Sequence, residues 1–96
     1  MIRPGDITGV TRKIKGGIWP YEAPPPPEGA WPEVTRVFIG KQVAMLVIAT
    51  AEVTHPSKTY RPGLALGKRW CLVLCHGAVA GWVPAAWITR MQRMRP

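Results

Sequence analysis

Ninety-six residues carry 13 lysines and arginines against five acids, for a net charge of +8, and 47% of the chain is hydrophobic while 19% is charged. A chain of this size supports one small core, burying about 60–65% of its unfolded surface, and the apolar content excludes a disordered polymer. Arginine supplies eight of the 13 cations. Its planar fork suits phosphate and carboxylate, so an acidic partner is implied: nucleic acid, an acidic protein surface or anionic lipid.

Residues 1–6 are not followed by the apolar stretch of a signal peptide. Residues 7–15 alternate loosely and predict a first strand, preceded and overlapped by an N-terminal arm over 1–9. Residues 16–33 read as one long Pro- and Trp-rich loop: Gly16-Gly17, Trp19-Pro20-Tyr21, the run Pro24, Pro25, Pro26 and Pro27, then Gly29 and Trp31-Pro32. Consecutive prolines fix φ and restrain each preceding residue, which makes this run extended or polyproline II. Residues 34–39 and 43–50 predict two strands joined at Gly40-Lys41. The apolar run at 43–49 falls far short of the roughly 20 residues that span a bilayer, so no membrane partner is expected.

Residues 52–69 read as a second loop. Residues 70–75 predict a strand, His76-Gly77-Ala78 a hairpin turn, and residues 80–83 the returning strand. Pro84-Ala85-Ala86-Trp87 suggests one helical turn, residues 88–90 a last short strand, and residues 91–96 a basic tail. The expected fold class is all-β: one five-stranded small barrel spanning 1–96, with a single short helical turn. Met45, Val47, Val73 and Val83 are its predicted inward residues.

Catalytic chemistry is sparse. Ser57 is the one serine, Asp6 the one aspartate, and His55 and His76 the two histidines; no spacing among them suggests a triad or a forced acid pair. Cys71 and Cys75 stand four apart on a predicted strand, about 13 Å between α-carbons, too far for a disulfide. They lack the short loop that gathers thiolates around zinc. No enzyme, cofactor, metal site or small-molecule substrate is expected.

Gly81-Trp82-Val83-Pro84 and Trp87, after a strand opened by Trp70, resemble the C-terminal half of the Src-homology-3 family. Residues 37–47, an apolar stretch, Gly40-Lys41 and a second apolar stretch, resemble that family's diverging turn. The resemblance implies a binding scaffold, with Trp70, Pro84 and Trp87 forming half of a proline-binding groove. The other half is missing: residues 10–15 hold no aromatic, and Glu22, Glu28 and Glu33 are scattered among prolines rather than gathered in an acidic loop.

Strand parity bears on the partner. Cys71, Val73 and Cys75 fall on one face of their strand, and Trp70, Leu72 and Leu74 on the other. A solvated outer face would be polar, so apolar residues on both faces imply a covered one. The reading is a structural or adaptor subunit of a large assembly, such as a bacteriophage virion (capsid decoration, head completion or tail part), located in a virion or the cytoplasm. Its partners are other protein subunits. The alternatives are a nucleic-acid-binding barrel of ribosomal-protein type and a peptide- or cell-wall-binding module. The partner-engaging residues would be Trp19, Tyr21, Pro24 to Pro27, Trp31, Trp70, Pro84 and Trp87, with the loop reaching onto a neighbour. Arg3, Arg12, Lys13, Lys15, Arg90, Arg93 and Arg95 would converge into one basic face for an anionic partner, nucleic acid included.

Overall fold

The computed structural model describes residues 1–26, 32–53 and 69–93. Pro27, Trp31 and Arg95 lie outside these residues. Five strands form one antiparallel sheet: β1 (Asp6–Val10), β4 (Met45–Glu52), β5 (Arg69–Cys75), β6 (Ala78–Pro84) and β7 (Ile88–Arg93), in the order β6-β5-β4-β1-β7. Two shorter strands, β2 (Gly17–Ile18) and β3 (Ile39–Gly40), pair separately, and one 3-10 turn, η1 (Ala85–Trp87), links β6 to β7. The ladder runs from β6 to β7, and no pairing among the described residues joins those two edges.

Local chemistry sets several joints. Pro4-Gly5 makes the turn into β1, with Gly5 at φ +94 and the Asp6 N–H donating to the Arg3 carbonyl at 3.1 Å. Proline followed by a positive-φ glycine is the type II pattern. Between β5 and β6, His76 and Gly77 both hold positive φ, +52 and +76. That two-residue turn matches the twist of its flanking strands. The resulting ladder pairs Cys71 with Val83 and Trp70 with Pro84, the antiparallel hairpin that the sequence predicts. Bulges at Ile7/Thr8, Val47/Ala49 and Val73/Leu74 bend and twist the sheet around its inner face.

The core lies on that inner face. Met45, Val47, Val73 and Val83 are fully buried there, with Ile39 and Cys71. Buried Thr8 donates from Oγ1 to the Met45 carbonyl at 3.3 Å, satisfying its hydroxyl. Burying four such aliphatic side chains stabilises by about 1.5–3 kcal/mol each relative to exposure.

Several predicted elements differ, among them the last strand, expected over 88–90, which runs on to Arg93 and takes in the start of the expected basic tail. The first strand stops at Val10, because Thr11 donates to the Trp87 carbonyl and the Ile14 N–H closes a turn onto the Thr11 carbonyl. That strand also takes in residues 6–9 of the expected N-terminal arm. The expected strand over 34–39 is reduced to an isolated bridge at Val34 and to Ile39 in β3. Here the Thr35 N–H donates to Pro20 and the Val37 N–H to Thr35 Oγ1, so these amides are used outside a ladder. The strand expected over 43–50 begins and ends two residues later, as β4.

Candidate functional site

Three surfaces carry the residues singled out from sequence. The first is the aromatic arm at residues 19–25. Tyr21 bridges the edge of β6 by two backbone bonds with Trp82, its N–H donating to the Trp82 carbonyl at 2.8 Å and its carbonyl accepting from the Trp82 N–H at 2.7 Å. Its ring meets Trp70 edge-on at 5.6 Å between centroids and Trp87 at 6.1 Å. Pro20 and Pro84 are fully buried, Pro25 is buried, Pro24 is half-buried and Pro26 is exposed. Trp70 pairs with Pro84 across the ladder, and the chain's own Tyr21 packs against both Trp70 and Trp87. The start of the loop packs on its own domain rather than projecting from it.

Gly81 makes that packing possible. It holds φ +137, and a Cβ there would stand 2.8 Å from Pro20 Cβ, 2.8 Å from the Tyr21 carbonyl oxygen and 2.9 Å from Thr35 Cγ2. The indole N–H of Trp87 is covered and has no hydrogen-bond partner among the described residues.

The second surface is the outer face of the sheet. Residues directly opposite one another on paired strands share a face. Register sets Ile7 opposite Leu46, Leu46 opposite Leu74, and Leu74 opposite Val79. Inner neighbours Thr8, Met45, Val47, Val73 and Ala80 are all buried, so this row points outward across four strands. Val79 is 56% exposed and bulged Ile48 39% exposed, while Leu46, Leu72 and Leu74 are half-buried. Met91, 60% exposed, lies over Gly9 at the β1–β7 edge, its Sδ 2.7 Å from where a Gly9 Cβ would stand. Sequence parity reached Leu72 and Leu74. Ile7, Val79 and Met91 join them only through register and bulges.

The third surface is charge, and it does not converge. β1 and β7 are antiparallel, with Asp6 opposite Arg93 and Val10 opposite Ile88. Arg3 therefore lies at one end of β1, and Arg12, Lys13 and Lys15 at the other, all exposed. The expected single basic face is two separate regions, because the chain must run the length of β1 between them. Arg90 is half-buried; its Nε lies 3.8 Å from Asp6 Oδ2, and its Nη2 donates to the Met1 carbonyl at 3.4 Å. Arg69 is likewise engaged, donating to Glu52 Oε1 at 2.9 Å and to the Ile2 carbonyl at 3.1 Å. Lys41, not singled out from sequence, joins the Arg12 end: its Nζ donates to the Arg12 carbonyl at 3.4 Å.

Both cysteines are reduced and buried on the inner face. Burial pushes the Cys71 thiol up to about 11, against a pull downward from Arg69, and burial alone raises Cys75. A thiol held protonated is a poor nucleophile and a poor metal ligand. Among the described residues, no group of three or more histidines, cysteines or acids is placed to hold a metal ion.

No protein-family model matches the chain, and no curated protein or solved structure matches it either.

Proposed function

We propose that the chain is a Src-homology-3-like small barrel serving as a non-enzymatic structural or adaptor subunit, packed against neighbouring protein subunits through the outer face of its sheet. The observation that carries this reading is the unbroken apolar row of Ile7, Leu46, Leu74 and Val79. Scattered surface apolar residues are ordinary, but a contiguous row across four strands is the mark of an interaction surface. The fold part is supported by the placing of the first strand between β4 and the last strand, β7, since such a barrel keeps its first and last strands side by side. The reading requires a neighbour with a matching apolar surface; it does not require that the neighbour belong to a virion.

The half groove gives the peptide-binding alternative less support. Tyr21 already occupies the surface of Trp70 and Trp87. A proline-rich peptide would have to displace it together with its two backbone bonds to Trp82.

Light scattering of the purified protein tests the proposal. A nucleic-acid-free oligomer is expected, and Val79→Lys is expected to return it to monomer, because that position is exposed in the isolated chain. A monomer at every concentration, with no uptake of an apolar dye by the outer face, would overturn the reading.

A further inference from the structure

The β2–β3 ribbon carries a surface that the outer-face reading leaves unused. Its register sets Gly17 opposite Gly40 and Ile18 opposite Ile39. Ile18 and Ile39 are buried. Side chains alternate across a strand, so Gly17, Gly40, Trp19 and Phe38 share the outward face. The glycines leave a flat shelf, and the Phe38 ring lies on it, with Cε1 3.0 Å from where a Gly17 Cβ would stand. Trp19 stands against Phe38 at 5.2 Å between centroids and an interplanar angle of 57°. The two residues remain 47% and 50% exposed.

Cations flank this pair along the chain. Lys41 follows Gly40 directly, and its bond to the Arg12 carbonyl sets it on the turn that carries Arg12 and Lys13. Lys15 lies two residues before Gly17, and Arg36 two before Phe38; these five cations are all exposed. Residues 11–19 and 35–43 contain no acid. None of the five forms an ion pair among the described residues.

We propose that this ribbon binds single-stranded nucleic acid, with bases stacking on Trp19 and Phe38 and backbone phosphates meeting Arg12, Lys15 and Lys41. Exposed aromatic faces set among unpaired cations are what a single strand requires: any base offers a π-face, and the cations follow the backbone. A duplex keeps its bases stacked inside and offers these rings nothing. An acidic protein surface would use the cations but leave the shelf unexplained. The ribbon and the outer sheet face are different surfaces, so failure at one leaves the other standing.

The test is fluorescence anisotropy of the full chain with a labelled oligothymidylate of about 15 nucleotides, near the upper site size of small single-strand barrels. Binding is expected to weaken with salt, the logarithmic slope being about −0.7 for each phosphate neutralised. Lys15→Gln with Lys41→Gln should shrink that slope by about 1.4. Trp19→Ala should weaken binding about ten-fold at unchanged slope, while Trp19→Phe keeps a stacking face and most of the affinity. Arg3→Gln, at the far end of β1, should change nothing. Circular dichroism of each variant separates lost binding from lost folding, and the lysine variants are surface changes that keep the test valid if Trp19→Ala does not fold. Absence of binding at low salt, equal affinity for the matching duplex, or affinity indifferent to both the tryptophan and the lysine variants overturns the proposal. So does a Trp19→Ala variant that dissociates an oligomer while holding the oligonucleotide as before, which would make the rings a protein contact.

Discussion

Gly81 shows how one residue joins two parts of the molecule. Its φ of +137 lies where L side chains rarely go, and the atoms that crowd its missing Cβ include the Tyr21 carbonyl, which is backbone and cannot rotate away. Gly81→Ala is expected to cost about 1–3 kcal/mol through strain alone and to lift the arm from β6. Urea unfolding followed by tryptophan fluorescence reads both effects, and an unchanged midpoint would refute them. The sequence places this glycine in a recognisable Gly-aromatic-Val-Pro run, but its reason lies in distant Pro20 and Thr35, which no local pattern encodes. Cys71 gives a second test at this scale. Its thiol is raised from 9.0 to about 11 in the folded chain, mainly by burial. The unfolded chain then releases the proton first as pH rises, so this group's stabilising contribution is intact below pH 9 and is lost between 9 and 11. Stability should fall across that window, and Cys71→Ala should flatten the fall; identical slopes in both proteins would show that other groups cause it.

At the scale of elements, legibility follows the range of the interactions. The β5–β6 hairpin is readable because everything that makes it is local: two short apolar runs and a His76-Gly77 turn whose positive φ values suit a tight return. The ribbon of β2 and β3 is not, since its strands are two residues each and are separated by a long loop. Residues 34–39 have the composition of a strand, yet their amides go to Pro20 and Thr35 Oγ1, and composition does not record that competition. The sequence predicts that the loop over 16–33 reaches a neighbour, because stiff prolines project. In the structure the Tyr21 ring of that loop packs on Trp70 and Trp87 of the same chain. Tyr21→Ala is accordingly expected to destabilise the isolated domain by about 1–3 kcal/mol, the range of a lost half-buried aromatic contact. Thermal unfolding measures it. An unchanged melting temperature, with association lost, would return the arm to an intermolecular role.

Across the whole molecule, the sheet carries apolar residues on both of its faces. The sequence made that visible in the unbroken apolar run at 43–49 and in Leu72 and Leu74, because strand parity needs no knowledge of pairing. It could not say which positions line up, since three bulges shift the register, and each such shift changes which side chains are neighbours. Adjacent residues of β4 turn this arrangement into a comparison. Val47 is fully buried on the inner face, and Ile48 is 39% exposed at the bulge. Both are aliphatic β-branched residues, so the two positions differ chiefly in what lies against them. Val47→Lys should leave the chain unfolded, because a buried unpaired ammonium costs several kcal/mol. Ile48→Lys should stay within about 0.5 kcal/mol of the parent in urea unfolding of dilute protein, and at higher concentration should remove any self-association measured by light scattering. If Ile48→Lys unfolds the dilute monomer, the outer face is covered by the chain itself, and the case for a neighbouring subunit fails with it.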